Sequence, residues 1–311
     1  MPRLAAPRAH PTMLGSLLRD LRFAWRLLRK HPVLTAVALF TMAVGIGANT
    51  VIFSVVHALV IRPLPFREAD RLVEVHPSLV AAGVDAFRFS GPELDDLRRD
   101  LTTLEDAAGW AEGLASFSGG PPPTAVSAAY GTGGFLRVLG VKPLHGRLLD
   151  EEDCAQNIER SIVLGYDLWQ RTFGGDAHLL GRTVVFDGND VTVVGIMPPG
   201  FAFPDPRVQA YLPLVNRGEL ARRELHFLQV IARMAPGADP AAVRAEIEAH
   251  RDAWRARAED YRRAVAAKER RPEASFREPL VPGSAAFPVT VTPLQEHLMG
   301  DVRPTLLLLQ G

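Results

Sequence analysis

The sequence predicts an α+β protein in which one N-terminal transmembrane helix is followed by a large domain of mixed strands and helices. Residues 33–61 form a continuous stretch without Asp, Glu, Lys or Arg. Residues 62–300 alternate between strand, helix and turn patterns. Hydrophobic residues make up 47% of the 311 residues, which is enough to pack one or two domains and excludes disorder as the main state.

The charge is balanced over the whole chain but not along it. The 35 basic residues equal the 35 acidic ones, which argues against a dedicated nucleic-acid binder because such proteins need a basic surface. Residues 1–30, however, contain seven basic residues and one acid. This asymmetry indicates a membrane. The single cysteine, Cys154, cannot form an internal disulfide and does not report the redox compartment.

Residues 1–32 are predicted to form a cytoplasmic, basic, amphipathic helix. Its apolar residues recur at three- and four-residue steps, and its arginines form a separate stripe. We expect the apolar stripe to enter the inner membrane surface and the arginines to meet anionic head groups. A plain topogenic flank and a regulatory or partner-binding helix both remain open. The predicted membrane-surface residues are Leu14, Leu17, Leu18, Leu21, Trp25, Leu28, Arg19, Arg22, Arg26 and Arg29.

The uncharged stretch 33–61 is predicted to be the transmembrane helix. About 20 helical residues cross a bilayer, and the apolar region of a cleavable signal peptide is shorter, at about 7–15 residues. The positive charge before the stretch places the N-terminus in the cytoplasm and the chain from residue 62 outside. The small and polar residues Gly45, Gly47, Ala48 and Asn49 predict a face that packs on other helices, with a lone anchor as the alternative.

The outer region 62–300 is predicted to be a split α/β layer interrupted by a smaller β-rich domain. Asp187-Gly188 favours a hairpin, and Asp239-Pro240 is a typical helix start. We expect helices over 90–110, 166–173 and about 240–271. We expect strands over 71–76, 124–130, 160–164, 182–186, 190–196, 208–214, 226–233 and 287–292.

No enzyme motif is present in the sequence. No lysine follows a glycine, so there is no Gly-Lys-Ser/Thr phosphate loop, and the Gly-x-Ser-x-Gly and His-Glu-x-x-His patterns are also missing. The nine histidines form no pair at helical ligand spacing. We therefore predict no catalytic residue, no cofactor, no metal and no enzymatic activity.

The C-terminal residues 301–311 are predicted to be the truncated start of a second transmembrane helix. An apolar run of leucines follows Arg303-Pro304. The run is too short to cross a bilayer by itself.

Four segments together resemble a known family. They read VGIGANTVIFSVVHALVIRPLPF at 44–66, FLRVLGVKPLHGRL at 135–148, IVLGYDLWQRTFGGDAHLLG at 162–181 and VTVVGIMPPGFAF at 191–203. In this order they resemble the N-terminal half of MacB/FtsX-type ABC-transporter permeases, and among these the duplicated orphan permeases of acidobacteria.

The resemblance implies a permease subunit of the bacterial inner membrane with a periplasmic core of two subdomains. The α/β subdomain would comprise about 66–115 and 222–293, and the β-rich subdomain about 120–218. In such permeases a separate cytoplasmic ATPase drives movement of the spans and of the core for export or efflux. The resemblance also implies a second permease half or a homodimer as a partner.

The predicted function is therefore that of a non-enzymatic permease fragment that couples a separate ATPase to movement in the periplasm. Since the sequence stops at the start of the second span, we expect it not to transport by itself. The family's loop that meets the ATPase lies beyond that point. The alternative is a single-pass, membrane-anchored periplasmic binding or scaffold protein without transport. The sequence does not identify a substrate.

Overall fold

The computed structural model describes residues 22–23, 25–26, 28–56, 66–79, 83–84, 87–118, 124–155, 160–215, 218, 220–270 and 280–300. The chain divides into two compact units, Met1–Arg62 and Pro63–Gly311, which we describe separately. The predicted membrane-surface residues up to Leu21 lie outside the described residues, as does the predicted second span at 301–311.

The described residues of the first unit are helical except His31. Residues 22–23, 25–26 and 28–30 are helical, and helix α1 spans Pro32–Val56. The hydroxyl groups of Thr41 and Thr50 donate to the carbonyls four residues earlier, at 2.9 and 2.7 Å, so neither hydroxyl lacks a partner. Large apolar side chains of α1 are exposed, among them Leu34 and Phe40 at 71% each.

Among the described residues, no helix combines the length and the apolar character needed to cross a membrane. The transmembrane helix predicted over 33–61 is therefore not confirmed.

The second unit is built on one mixed sheet of ten strands. The strands are β1 (Leu72–Pro77), β2 (Leu104–Ser118), β3 (Thr124–Gly131), β4 (His145–Gly146), β5 (Ser161–Leu164), β6 (Thr183–Phe186), β7 (Asn189–Ile196), β8 (Val208–Pro213), β9 (Gln229–Met234) and β10 (Val289–Pro293). Their order is β10-β1-β9-β2-β3-β8-β5-β7-β4, and β6 pairs with β2 and β7. The β3–β8 and β5–β7 pairs are parallel.

The helices of the second unit are α2 (Gly91–Asp100), α3 (Phe135–Val138), α4 (Glu151–Cys154), α5 (Tyr166–Phe173), α6 (Pro240–Glu269) and α7 (Leu294–Gly300). Two 3-10 turns, Ala69–Arg71 and Ala177–Leu179, complete the secondary structure of the described residues. Helix α6 begins where the sequence predicts, because the Asp239 carboxylate accepts a hydrogen bond from the Ala242 N–H.

Alternate residues of β1 divide the hydrophobic core between the two faces of the sheet. Val73 and Val75 belong to a cluster that includes Trp254 of α6 and Leu97 of α2. Leu72, on the opposite face, belongs to a cluster with α3 and α7. A third cluster fills the β-rich part beneath α5. The period of two residues in a strand produces this division.

Most predicted elements are confirmed within three residues at each end, including the whole of α5 and the hairpin between β6 and β7. The helix predicted over 90–110 is wrong in its second half. The backbone becomes extended at Leu101, and 104–118 is the longest strand, paired with β3 and β9. The leucine spacing up to Leu104 predicts a helix, but pairing with β3 and β9 makes this segment a strand. Such pairing cannot be read from the local sequence pattern.

The predicted division into two subdomains remains a prediction. Strands β10, β1, β9 and most of β2 come from the segments assigned to the α/β subdomain, and the others come mainly from the β-rich insert. The sheet runs without interruption across that boundary.

Candidate functional site

Five aromatic residues meet where the chain enters the second unit. We call this group, Phe66, Trp110, Phe135, Phe201 and Phe203, the aromatic junction. Phe66 makes edge contacts with Phe201 and Phe203, with ring centroids 6.1 and 6.0 Å apart. Phe203 also lies 5.9 Å from both Trp110 and Phe135. Aromatic pairs at these separations are individually favourable, so the entering chain is packed into the core.

Three separate elements position the rings of the aromatic junction. Trp110 lies on β2, and Phe135 is the first residue of α3. Phe203 is fixed through its own backbone, because the buried Tyr211 hydroxyl donates to its carbonyl at 2.9 Å. Gly131 makes room for the Phe135 ring, because a Cβ at Gly131 would lie 2.5 Å from that ring. The junction is therefore a built contact between distant segments.

Two arginines hold the turn that follows Phe66. Arg233 of β9 is buried and donates to the Val138 carbonyl of α3 at 2.8 and 3.1 Å and to the Glu68 carbonyl at 3.2 Å. Burial lowers the pKa of its guanidinium from the ordinary value, but a guanidinium keeps its charge. Arg71 donates to the Met234 carbonyl at 2.6 and 2.9 Å and pairs with the Glu68 carboxylate. The entry turn is thus bound to both β9 and α3.

The last described element, α7, lies on the same side of the sheet. It packs against β1, β10 and the 3-10 turn Ala69–Arg71. Leu294 is buried in the same core cluster as the aromatic junction, and Leu298 packs against that cluster. The first and last described segments of the second unit therefore pack on one shared cluster.

The opposite face, covered by α2 and α6, carries a buried charge cluster. The Asp96 carboxylate, whose side chain is 4% exposed, pairs with Arg223 at 2.7 Å, with Arg257 at 2.6 Å and with Arg99. Arg223 lies in the segment that leads back into β9. The cluster thereby ties that returning segment to both covering helices.

Neighbouring carboxylates on this face are also held by hydrogen bonds. Burial raises the pKa of Asp100, but bonds from Trp254, Arg257 and Arg99 outweigh it and leave that pKa at about 2. The Glu246 carboxylate of α6 accepts four bonds from the backbone and hydroxyl groups of Thr102 and Thr103, at 2.5–3.0 Å. These bonds likewise outweigh burial and lower the pKa of Glu246 to about 2.

A cleft of about 200 Å³ is lined by residues of α2, β2 and α4. Arg98 in its wall is already bonded to the carbonyls of Ala107 and Gly133, at 2.7 and 3.2 Å. Among the described residues, no three His, Cys, Asp or Glu side chains are placed to hold a metal ion. The cleft gives no ground for a reaction or a ligand. Its lining residues are Arg98, Leu104, Glu105, Asp106, Ala107 and Glu151.

The predicted site residues that the structure describes all lie in the first unit. A Cβ at Gly45 or Gly47 would meet no atom within 4 Å, so no described part of this chain packs on these glycines. Ala48 and Asn49 are helical, but their side chains lie outside the description. The helix-contact face remains a prediction.

The described part of the predicted membrane-surface helix is exposed. Arg22, Trp25, Arg26, Leu28 and Arg29 are helical and open to solvent. The Arg29 guanidinium lies over the Trp25 ring, 5.2 Å from its centroid, so this arginine meets the apolar stripe. Contact with a membrane remains a prediction.

Sequence reasoning missed the aromatic junction, although its four phenylalanines stand at the ends of the quoted motifs. Phe66 closes the first motif, Phe135 opens the second, and Phe201 and Phe203 close the fourth. Nothing in the sequence shows that these motif ends meet. Phenylalanine at each of these motif ends is the sequence signal that could have indicated the junction.

The second unit is thus a mixed α/β domain whose first and last described segments pack on one core cluster. The MacB-like periplasmic core domain family matches residues 35–250. The chain belongs to this family, and the predicted resemblance to MacB/FtsX-type permeases is confirmed at that level. The family makes it a membrane-associated protein with a periplasmic domain.

Two solved structures are similar to this chain at low sequence identity. The periplasmic region of MacB from Actinobacillus actinomycetemcomitans is 12% identical, covers 76% of this chain and 94% of its own, and has a TM-score of 0.48. The extracellular domain of the noncanonic ABC-type transporter YknZ from Gram-positive bacteria is 13% identical, covers 65% and 97%, and has a TM-score of 0.43. A comparison with curated proteins gave no match. These likenesses carry no information on substrate or partner.

Proposed function

We propose that this chain is part of a MacB/FtsX-type permease subunit, of the duplicated orphan type, that couples ATP hydrolysis by a separate ATPase to movement of its periplasmic core. The movement serves export or efflux. The observation that carries the proposal is the aromatic junction, in which Phe66 is packed against the loop 197–203. A force on the chain before Phe66 acts directly on the packed core.

The physical argument rests on close packing. Protein interiors are as dense as organic crystals and transmit displacement instead of absorbing it. Since Phe66 touches Phe201 and Phe203, a shift of the entering chain displaces the loop before β8. Arg233 adds a second connection, because it binds both the entry turn and α3.

The proposal includes an inner-membrane anchor with the N-terminus in the cytoplasm. The uncharged stretch 33–61 and the exposed apolar side chains of α1 support this anchor, because exposed surface of this kind is stabilised by lipid. The partners would be membrane lipid, the ATPase, and a second permease half or a homodimer. Gly45, Gly47, Ala48 and Asn49 would form the helix contact.

The test compares two half-buried phenylalanines in the full-length gene product, reconstituted with its ATPase. Phe66→Ala removes a ring of the junction, and Phe173→Ala removes a ring that packs on Phe117 elsewhere. Spin labels at the exposed positions Asp190 and Arg255 report the distance across the core with and without ATP. We expect the ATP-dependent change to be lost in Phe66→Ala and kept in Phe173→Ala.

Two results would contradict the proposal. One is a full-length product that binds no ATPase and shows no nucleotide-dependent distance change, which would favour the scaffold alternative. The other is an equal change in both variants, which would remove the junction from the mechanism. For the anchor, protease added to intact spheroplasts should digest the core, and alkaline carbonate should not release the protein from membranes.

A further inference from the structure

Two histidines and one buried glutamate meet where α7 packs against the edge of the sheet. His297 of α7 lies with its Nε2 2.9 Å from Oε2 of Glu74 on β1. His76, two residues further along β1, places its ring centroid 6.3 Å from that of His297. The Glu74 side chain is only 8% exposed. The rings of His76 and His297 therefore both lie near the Glu74 carboxylate, where α7 packs on β1.

The geometry fixes one proton of this group. A carboxylate only accepts, so Nε2 of His297 must carry the hydrogen of that bond. Nδ1 of His76 is buried and has no hydrogen-bond partner among the described residues. Burial lowers the pKa of His76 below its usual 6.5; Glu74 raises it and His297 lowers it further. The packed state therefore holds His76 uncharged near neutral pH.

The strand residues that pair with Glu74 and His76 in the described sheet carry no charge. Across from His76 and Glu74, β10 presents Thr290 and Thr292. On the other side, β9 presents Ile231 opposite Glu74, and its Arg233 is directed to Val138 and Glu68. The remaining titratable groups of the elements packed here are Asp70 and Arg71 of the 3-10 turn and Glu296 of α7. Arg71 is directed to Glu68, Glu105 and Met234.

We propose that this cluster is a pH-sensitive clasp, in which proton uptake by His76 in mild acid releases α7 from β1. Protonated His76 would then place a positive charge beside the His297 ring that bonds to Glu74. The clasp controls whether α7 stays packed on β1 and on the core cluster that contains Leu294. This control does not depend on whether the protein transports anything.

The sign of the effect follows from linkage. Since the His76 pKa is lower in the packed state than in a released one, release takes up a proton. The packed state is favoured above pH 6.5, and that preference is lost as the pH falls below this value. One proton gives at most about a tenfold change in the release equilibrium per pH unit.

The experiment measures amide hydrogen exchange of α7 in the whole chain between pH 7.5 and 5.0, corrected for the intrinsic effect of pH. We expect α7 protection to fall up to about tenfold per pH unit in the acid range, with α6 unchanged. His76→Gln should abolish the fall. His145→Gln, which alters a histidine packed on Trp169, is the matched control and should leave it intact.

A second measurement keeps the proposal testable if His76→Gln fails to fold. Imidazole NMR signals of the unmodified chain report the titration of His76 directly, and this titration should coincide with the loss of α7 protection. Protection of α7 that does not change with pH would overturn the clasp. So would a fall that persists in a folded His76→Gln variant.

Discussion

The two faces of the sheet are held by different forces. On the face of the aromatic junction, Phe66, Phe135 and Phe203 meet through ring contacts. On the face covered by α2 and α6, Asp96 is bound by three arginines and Glu246 by two threonines. Separated rings lose apolar contact and their preferred edge geometry, whereas a buried charge without its partners is left uncompensated.

This difference suggests a division of roles between the faces. A buried ion pair that loses one partner leaves an uncompensated charge, which strongly opposes separation. Packed rings that shift together expose no uncompensated charge, so they can pass a displacement on while their volume stays filled. We therefore expect the helix-covered face to behave as a rigid base, and the junction face to be the place where displacement enters.

The largest effect is expected for Phe203→Ala, which breaks the junction at its centre. Loss of this buried ring should lower the free energy of unfolding by about 3–5 kcal/mol, because it removes apolar contact and leaves a cavity. Urea unfolding in detergent, followed by tryptophan fluorescence, measures it. Leu114→Ala, at a position 80% exposed, is the control and should change little. Similar values for both variants would contradict the role of the junction.

Asp96→Asn tests the opposite face. Removing the negative charge should cost about 3 kcal/mol of unfolding free energy, because Arg223, only 10% exposed, would lose its counterion. Asp252→Asn is the matched control, since this carboxylate is 85% exposed and its pairing with Arg251 should contribute less than about 1 kcal/mol. Urea unfolding compares the two. An Asp96 variant as stable as the control would show that the cluster does not lock this face.

Glu246→Gln tests whether the stability of the helix-covered face depends on a carboxylate charge that is lost in acid. The folded-state pKa of Glu246 is about 2, below its ordinary value of 4.5, so its contribution is present above pH 4.5 and is lost as the pH falls through about 2. We expect Glu246→Gln to cost about 1–3 kcal/mol at pH 7 and progressively less in acid. Unfolding curves from pH 7 to pH 2 test this. A cost that stays constant with pH would show that the charge is not responsible.

The smallest effect is expected for a pair of glycines on the junction face. Both Gly140 and Gly200 have positive φ, but only at Gly140 would a Cβ meet another atom, the Cβ of Arg67 at 2.6 Å. Gly140→Ala should therefore cost about 1 kcal/mol more than Gly200→Ala, whose cost comes from backbone strain alone. Thermal unfolding of both variants measures the difference. Equal costs would mean that the entry turn accommodates the added Cβ at Gly140 without an energetic penalty.

Local patterns were sufficient for most elements. Helix α5, the β6–β7 hairpin and the start of α6 follow from spacing, the Asp-Gly turn and the Asp239 cap. The failure at 101–110 shows the limit, because Leu101 and Leu104 continue a helical spacing, yet Leu104 pairs with Met234 of β9. Pairing partners distant in sequence leave no mark on a local pattern.

The sequence by itself determined the family, the uncharged stretch, the basic N-terminal segment and nearly all the strands, because each depends on residues close together in the chain. Only the tertiary structure decided that Phe66, Phe135 and Phe203 meet, that three arginines surround Asp96, and that His76 lies beside His297. Apart from the local Asp96–Arg99 pair, these contacts join residues separated by roughly 70 to 220 positions. Packing of the whole sheet brings them together, and no local propensity encodes it.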